Sequence, residues 1–203
     1  MLEAELLAAI EAGDDMAVRD LLTRGANPDV WTPDGWPALF RAIDKGRVDT
    51  VQAFLDHGAK LDVKLQGDSA LQNAAFRGNV AIARMLIERG AGADVNLRGG
   101  EGNMPLKTAA EQGNIELVKL FLDAGADPEC ACGFDGMTAL GMAAGLGHAD
   151  VVQLLLDRGA NPNTRDIGYD TALEWARSQN ARSPSEQLEA VIRILQKATG
   201  SLR

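Results

Sequence analysis

The 203 residues predict an all-α solenoid of about six helix–turn–helix units, with β-turn fingertips and capping end repeats, on three observations. A four-point frame of leucine, alanine and two glycines recurs along the chain. Apolar stripes at helical spacing accompany each copy. Clusters of Gly, Asx and Pro separate the copies. Self-similarity at a period of about 20–50 residues marks architectures in which a unit buries its apolar face against its neighbours.

The frame reads Leu6, Ala9, Gly13, Gly25, and returns as Leu39, Ala42, Gly46, Gly58. It continues as Leu71, Ala74, Gly78, Gly90, then Leu106, Ala109, Gly113, Gly125, then Leu140, Ala143, Gly147, Gly159. A sixth copy opens at Leu173 and Ala176, with Asn180 in place of the first glycine. Leucine and alanine three apart lie on one face of a first helix. The small alanine permits close approach of the next unit. The glycine that follows suits a left-handed helix stop. A second helix then carries Val18, Leu21 and Leu22, with counterparts at Val51, Phe54 and Leu55, at Val118, Phe121 and Leu122, and at Val152, Leu155 and Leu156. That i, i+3, i+4 spacing is a core stripe. After each closing glycine come stretches such as Gly25-Ala26-Asn27-Pro28-Asp29 and Gly159-Ala160-Asn161-Pro162-Asn163, which demand turns.

These features resemble ankyrin repeats, whose unit is a β-turn followed by two antiparallel helices. The resemblance spans essentially the whole chain. The family's Thr-Pro-Leu-His stretch survives only in fragments, such as Pro105-Leu106, Thr138-Ala139-Leu140 and Thr171-Ala172-Leu173. Its turn Asp-Gly stands at Asp34-Gly35 and Asp135-Gly136, and as Gly102-Asn103 with the glycine kept. The motif's histidine is replaced by Phe40, Gln72, Lys107, Gly141 and Glu174, which implies a weakened turn-to-helix hydrogen-bond network. The expected organisation is a single ankyrin-repeat domain over 1–203. Its units are 1–30 as N-terminal cap, 31–63, 64–97, 98–131, 132–165, and 166–203 as C-terminal cap. The first unit starts directly in a helix with acids in its first turn. The last has an insertion, Ala181 to Ser185. There Ser183-Pro184-Ser185-Glu186 reads as a capping box with Ser183 as N-cap. Near Gly90 and Gly92 two registers are possible. The Gly-rich stretch from Leu97 to Gly102 is expected to be a mobile fingertip.

Net charge is −9 and unevenly placed. Residues 1–98 carry 15 acids and 11 bases, residues 99–174 carry 12 and 4, and residues 175–203 carry 2 and 5. Such acidity disfavours nucleic acid and attracts basic partners, though it equally serves solubility. No apolar run approaches bilayer-spanning length and the N-terminus lacks a basic n-region, so no membrane association is expected and the location is expected to be cytoplasmic. The two cysteines, Cys130 and Cys132, are too close for an ordinary disulfide and read as reduced thiols.

Chemistry-bearing constellations are sparse. His57 and His148 lie nearly three repeats apart, and no histidine stands near the cysteines, so neither metal nor cofactor is expected. No nucleophile elbow or triad order emerges, and the chain reads as no enzyme. Lys107 near the Gly-rich stretch is a weak phosphate signal opposed by Glu101.

Aromatics are more informative. Phe54 and Phe121 fall on core stripes, while Trp31, Trp36, Phe40, Phe76, Phe134, Tyr169 and Trp175 lie in turns or first helices. Phe40 and Trp175 read as gap fillers. Trp36, Phe76 and Phe134, with Met137 at the Trp36 position of a later repeat, read as a contact face, since exposed aromatic anchors dominate interface energies. The resemblance implies a concave groove lined by turns and first helices. Its expected partner-binding residues are Trp36, Asp44, Lys45, Phe76, Arg77, Glu101, Asn103, Glu111, Phe134, Asp135, Met137 and Leu146. The expected function is a monomeric scaffold or adaptor that binds a protein of basic or mixed surface. The alternative is a stoichiometric inhibitor or immunity protein covering the active site of an enzyme or toxin.

Overall fold

A computed structural model describes residues 1–100, 102, 104–131, 133 and 136–200. Among the described residues it holds twelve α-helices and no strand. Three isolated antiparallel bridges, Trp31 with Pro37, Leu65 with Asp68 and Arg165 with Thr171, close turns between helix pairs. The helices gather into two compact units, Met1–Asp94 and Val95–Arg203.

The first unit contains α1 (Leu2–Ala12), α2 (Asp15–Thr23), α3 (Ala38–Asp44), α4 (Val48–Asp56), α5 (Ala70–Phe76) and α6 (Val80–Glu88). The second contains α7 (Pro105–Glu111), α8 (Ile115–Asp123), α9 (Ala139–Leu146), α10 (Ala149–Asp157), α11 (Ala172–Arg182) and α12 (Glu186–Ala198). First helices pack on first helices, α1 on α3 on α5 in one unit and α7 on α9 on α11 in the other. Second helices form the other layer, α2 on α4 on α6 and α8 on α10 on α12.

The frame explains this layering. All six leucine–alanine pairs, from Leu6 and Ala9 to Leu173 and Ala176, are buried. The second-helix stripe is buried at Val18, Val51, Phe54, Val118, Phe121, Val152 and Leu155. Each deep side chain removes apolar surface worth about 1.5–3 kcal/mol from water. The short first helices end because a glycine turns left-handed. Gly46 sits at φ 65, and its N–H and that of Arg47 reach back to Ile43 O and Ala42 O, each at 2.9 Å. That is the paired C-terminal motif expected of glycine at this position.

Where the glycine is missing the helix runs on. Asn180 stands at the stop position, and α11 continues to Arg182, 11 residues against seven in α5 and α7. The insertion is thus partly helical. The N-cap of α12 is Ser185, whose hydroxyl accepts from Leu188 N at 3.2 Å, and not the expected Ser183, which caps the C-terminus of α11. The amide oxygen of Asn180 accepts from Ser185 N at 3.0 Å and closes the loop instead.

The register near residue 90 is also resolved. α6 closes on Gly90, at φ 106, as α2 closes on Gly25 at φ 92. A 3₁₀ turn over Ala91–Asn96 absorbs the extra residues.

The eroded motif costs less than its missing histidine implied. At the histidine position Gln72 accepts from Ser69 N at 2.7 Å, and Glu174 accepts from Thr171 N at 2.7 Å. Each forms a capping box, so the turn-to-helix bonding is rebuilt with other side chains at two repeats.

Candidate partner-binding site

The first-helix layer of the first unit is dressed by linked charges. Arg41, on α3, lies with its guanidinium 4.7 Å above the Trp36 ring and pairs with Asp34. It also stands 3.3 Å from Glu11 of α1, at an angle too bent for a hydrogen bond. Glu11 in turn receives Lys45 Nζ at 2.6 Å. One repeat on, Arg77 bonds Asp44 and lies 5.6 Å from the Phe76 ring centroid. Trp36 is half-buried beneath its arginine, whereas Phe76 is 67% exposed. The five residues expected here, Trp36, Asp44, Lys45, Phe76 and Arg77, therefore fall into two adjoining clusters. Glu11, Asp34 and Arg41 join them without having been anticipated. A legible signal existed: opposite charges one repeat step apart, as in Glu11 with Lys45 and Asp44 with Arg77.

Pairs near the surface, such as those of Lys45 and Arg77, contribute about 0–1 kcal/mol each, so their effect is to fix side-chain geometry rather than to hold the fold. The Thr32 hydroxyl, and after it Arg41, hold the Asp34 carboxyl below the usual range. The turn beneath is built locally. Thr32 N donates to Trp36 O at 2.7 Å, and Trp36 N donates to the Thr32 hydroxyl at 3.0 Å.

In the second unit Leu146 is 51% exposed at the end of α9. Glu111, at the end of α7, is exposed, with its carbonyl 3.0 Å from His148 Nε2. Met137 is buried at 6% exposure. Its methyl lies 3.6 Å from where a Cβ on Gly141 would stand, so it packs over α9 and offers little surface to a partner. Trp175 is half-buried and donates through Nε1 to Asp166 at 2.5 Å. Lys107 is buried, 5% exposed, on α7. Glu101, Asn103, Phe134 and Asp135 lie outside the described residues.

Among the described residues no group of three or more His, Cys, Asp and Glu could hold a metal ion. No helix among them is long and apolar enough to cross a membrane.

A family model described as ankyrin repeats (3 copies) matches residues 6–99 and 91–166. The chain belongs to the ankyrin-repeat family. Such repeats generally mediate protein–protein interaction and are typically non-enzymatic. Over 103 residues the chain is 35% identical to the mouse B-cell lymphoma 3 protein homolog, spanning 50% of this chain and 22% of that protein. It is 39% identical over 61 residues to the mouse 2-5A-dependent ribonuclease, 28% of this chain and 8% of that enzyme. A putative ankyrin repeat-containing protein of Treponema pallidum is 38% identical over 107 residues, 51% of this chain and 35% of that protein. The chain thus spans about a third or less of these curated relatives. Among solved structures, a crystal structure of an ankyrin repeat protein superposes with a TM-score of 0.84 at 27% identity, covering 96% of this chain and 98% of that one. An ankyrin repeat domain from Acinetobacter baumannii AYE gives 0.83 at 28% identity, covering 96% and 97%.

Proposed function

We propose that this ankyrin-repeat chain is a scaffold or adaptor that binds a partner protein through its first helices and turns. The observation that carries the reading is Phe76. A phenylalanine 67% exposed at the end of α5 is flanked by an arginine already held by Asp44. The fold gains little from burying one third of that ring, while a partner that covers it gains the rest. Arg41 over Trp36 adds a second aromatic platform whose cation is fixed in advance. Preorganised side chains lose less entropy on binding. The partner surface that suits such linked acids and bases is basic or mixed. Leu146, Glu111, Glu101, Asn103, Phe134 and Asp135 are assigned to the same role.

The test is affinity capture from native lysate, with Trp36→Ala/Phe76→Ala as control. The double variant is expected to lose the captured partner while keeping its helical circular dichroism and its melting temperature within a few degrees. If the variant unfolds, the two rings belong to the core. If it captures the same partner equally well, binding lies elsewhere.

A further inference from the structure

The turn over residues 165–171 has the hydrogen bonding of the turn over residues 31–37, with one substitution that stability does not call for. In the earlier turn Gly35 N donates to Thr32 O at 2.9 Å, and Gly35 sits at φ 82. In the later turn Tyr169 N donates to Asp166 O and Asp166 N to Asp170 O, each at 3.1 Å, and Tyr169 occupies the left-handed position at φ 69. An L side chain there crowds its own carbonyl, and for an aromatic residue the conformation is an outlier. The turn uses Tyr169 only through its backbone, whose carbonyl accepts from Arg165. The ring is 77% exposed, and Ile167 beside it is 67% exposed. Ile167 is seated at its back, with Cγ1 2.6 Å from where a Cβ on Gly136 would stand, so its outer face is presented rather than loose.

One side of the turn is acidic. Asp166 Oδ1 and Asp170 Oδ2 lie 3.3 Å and 3.9 Å from the Cβ position of Gly168, on one side of the turn. The turn's one base, Arg165, is 55% exposed and is held by Tyr169 O and Glu174. Residues 99–174 carry 12 acids against 4 bases. Such a surface repels phosphate backbones and anionic headgroups, and draws cationic protein segments.

Resting on the reading that this chain binds proteins, we propose that the 165–171 turn is a docking site for a basic partner segment bearing large apolar side chains, with Tyr169 and Ile167 as its anchors. Lysine or arginine of the segment faces Asp166 and Asp170, and its apolar side chain covers the two exposed ones.

The test uses the full chain and two fluorescent, amidated dodecapeptides, one alternating lysine with leucine and one alternating glutamate with leucine, followed by anisotropy. The lysine peptide is expected to bind the wild-type chain, and at least tenfold more weakly the Ile167→Ser/Tyr169→Gly variant, which keeps every charge. Relief of the left-handed tyrosine offsets the loss of the Ile167 contact beside Gly136, so that variant's melting temperature is expected to stay within a few degrees of wild type and weaker binding does not reflect unfolding. Equal affinity for wild type and variant overturns the proposal, because non-specific attraction to an acidic protein would survive the change. Equal binding of the glutamate peptide overturns it too. Loss of the lysine peptide in Trp36→Ala/Phe76→Ala but not in the fingertip variant overturns this site and leaves the broader reading of Phe76 standing.

Discussion

The two units share one frame and present different chemistry from it. In the first, the two positions before the stop glycine hold Asp44-Lys45 and Phe76-Arg77. In the second they hold Glu111-Gln112 and Gly145-Leu146. Lys45 and Arg77 each pair with a carboxylate one repeat back. No cation stands at those positions of the second unit, and Glu111 has no cation partner among the described residues. The frame dictates where side chains emerge from the first-helix layer. It does not dictate what emerges. The consequence is a self-neutralised, geometrically fixed face in one unit and, among the described residues, a glutamate without a cation and an exposed leucine at the same positions of the other.

The sharpest way to break the comparison lies at the stop glycines. Gly13 and Gly113 adopt φ 70 and φ 67, so alanine at either meets left-handed strain of about 1–2 kcal/mol. Their neighbours differ. A Cβ on Gly13 would meet the guanidinium of Arg47, which bonds Gly13 O at 3.2 Å but is the far end of a flexible chain, 38% exposed, that can swing aside. A Cβ on Gly113 would stand 2.6 Å from the His148 ring, which is tethered to Glu111 O. Gly113→Ala is therefore expected to destabilise by about 1 kcal/mol more than Gly13→Ala in urea titrations, in the range seen for overpacking. Equal costs would mean that the ring moves as freely as the arginine.

A smaller effect isolates the left-handed turn position. A Cβ on Gly35 would meet nothing within 4 Å, so Gly35→Ala reports conformation alone. It is expected to cost about 1–2 kcal/mol, and Tyr169→Gly to recover part of that, since glycine also gains freedom in the unfolded chain. Melting curves for the two variants would settle the sign. A destabilising Tyr169→Gly would show that the ring packs in solution.

The smallest expected effect contrasts the two capping boxes. Gln72 in the first unit is neutral. Glu174 in the second is ionisable, and Thr171, through its N–H first and then its hydroxyl, holds its carboxyl below the ordinary 4.5. A carboxylate whose folded pKa is depressed stabilises above its unfolded pKa, and that contribution is lost as pH falls through the folded value. Acidification below about pH 4.5 should thus weaken the Glu174 box and spare that of Gln72. Glu174→Gln is expected to flatten the acid limb of stability against pH slightly, and Gln72→Glu to steepen it. Thermal melts between pH 3 and 7 would read both.

Most of the fold was legible because its determinants are local and repeated. Leucine and alanine three apart predicted the buried pairs, and each stop glycine took the left-handed conformation expected of it. The error at the C-terminal cap has a physical cause. Two serines in Ser183-Pro184-Ser185 competed for one N-cap, and the missing glycine at Asn180 let α11 run past the first. The site was less legible. Trp36 and Met137 occupy matching positions, yet one lies half-buried under Arg41 while the other is buried. Met137 packs its methyl beside Gly141, at the position where the earlier repeat carries Phe40. Glu11 was legible in its one-repeat spacing from Lys45, whereas Arg41 meets Glu11 only once α1 and α3 are packed together.

By itself, then, the sequence determined the unit, its period and its buried stripes. Helical spacing and glycine stops act over a few residues, and the repeat copies them along the chain. The tertiary structure alone decided which side chains are left at the surface. Exposure depends on what the neighbouring repeat brings within reach: a carboxylate for Lys45 and Arg77, little cover for Phe76. For Tyr169 it decided the backbone conformation as well, since only the closed turn at 165–171 places that ring where a glycine stands in its counterpart.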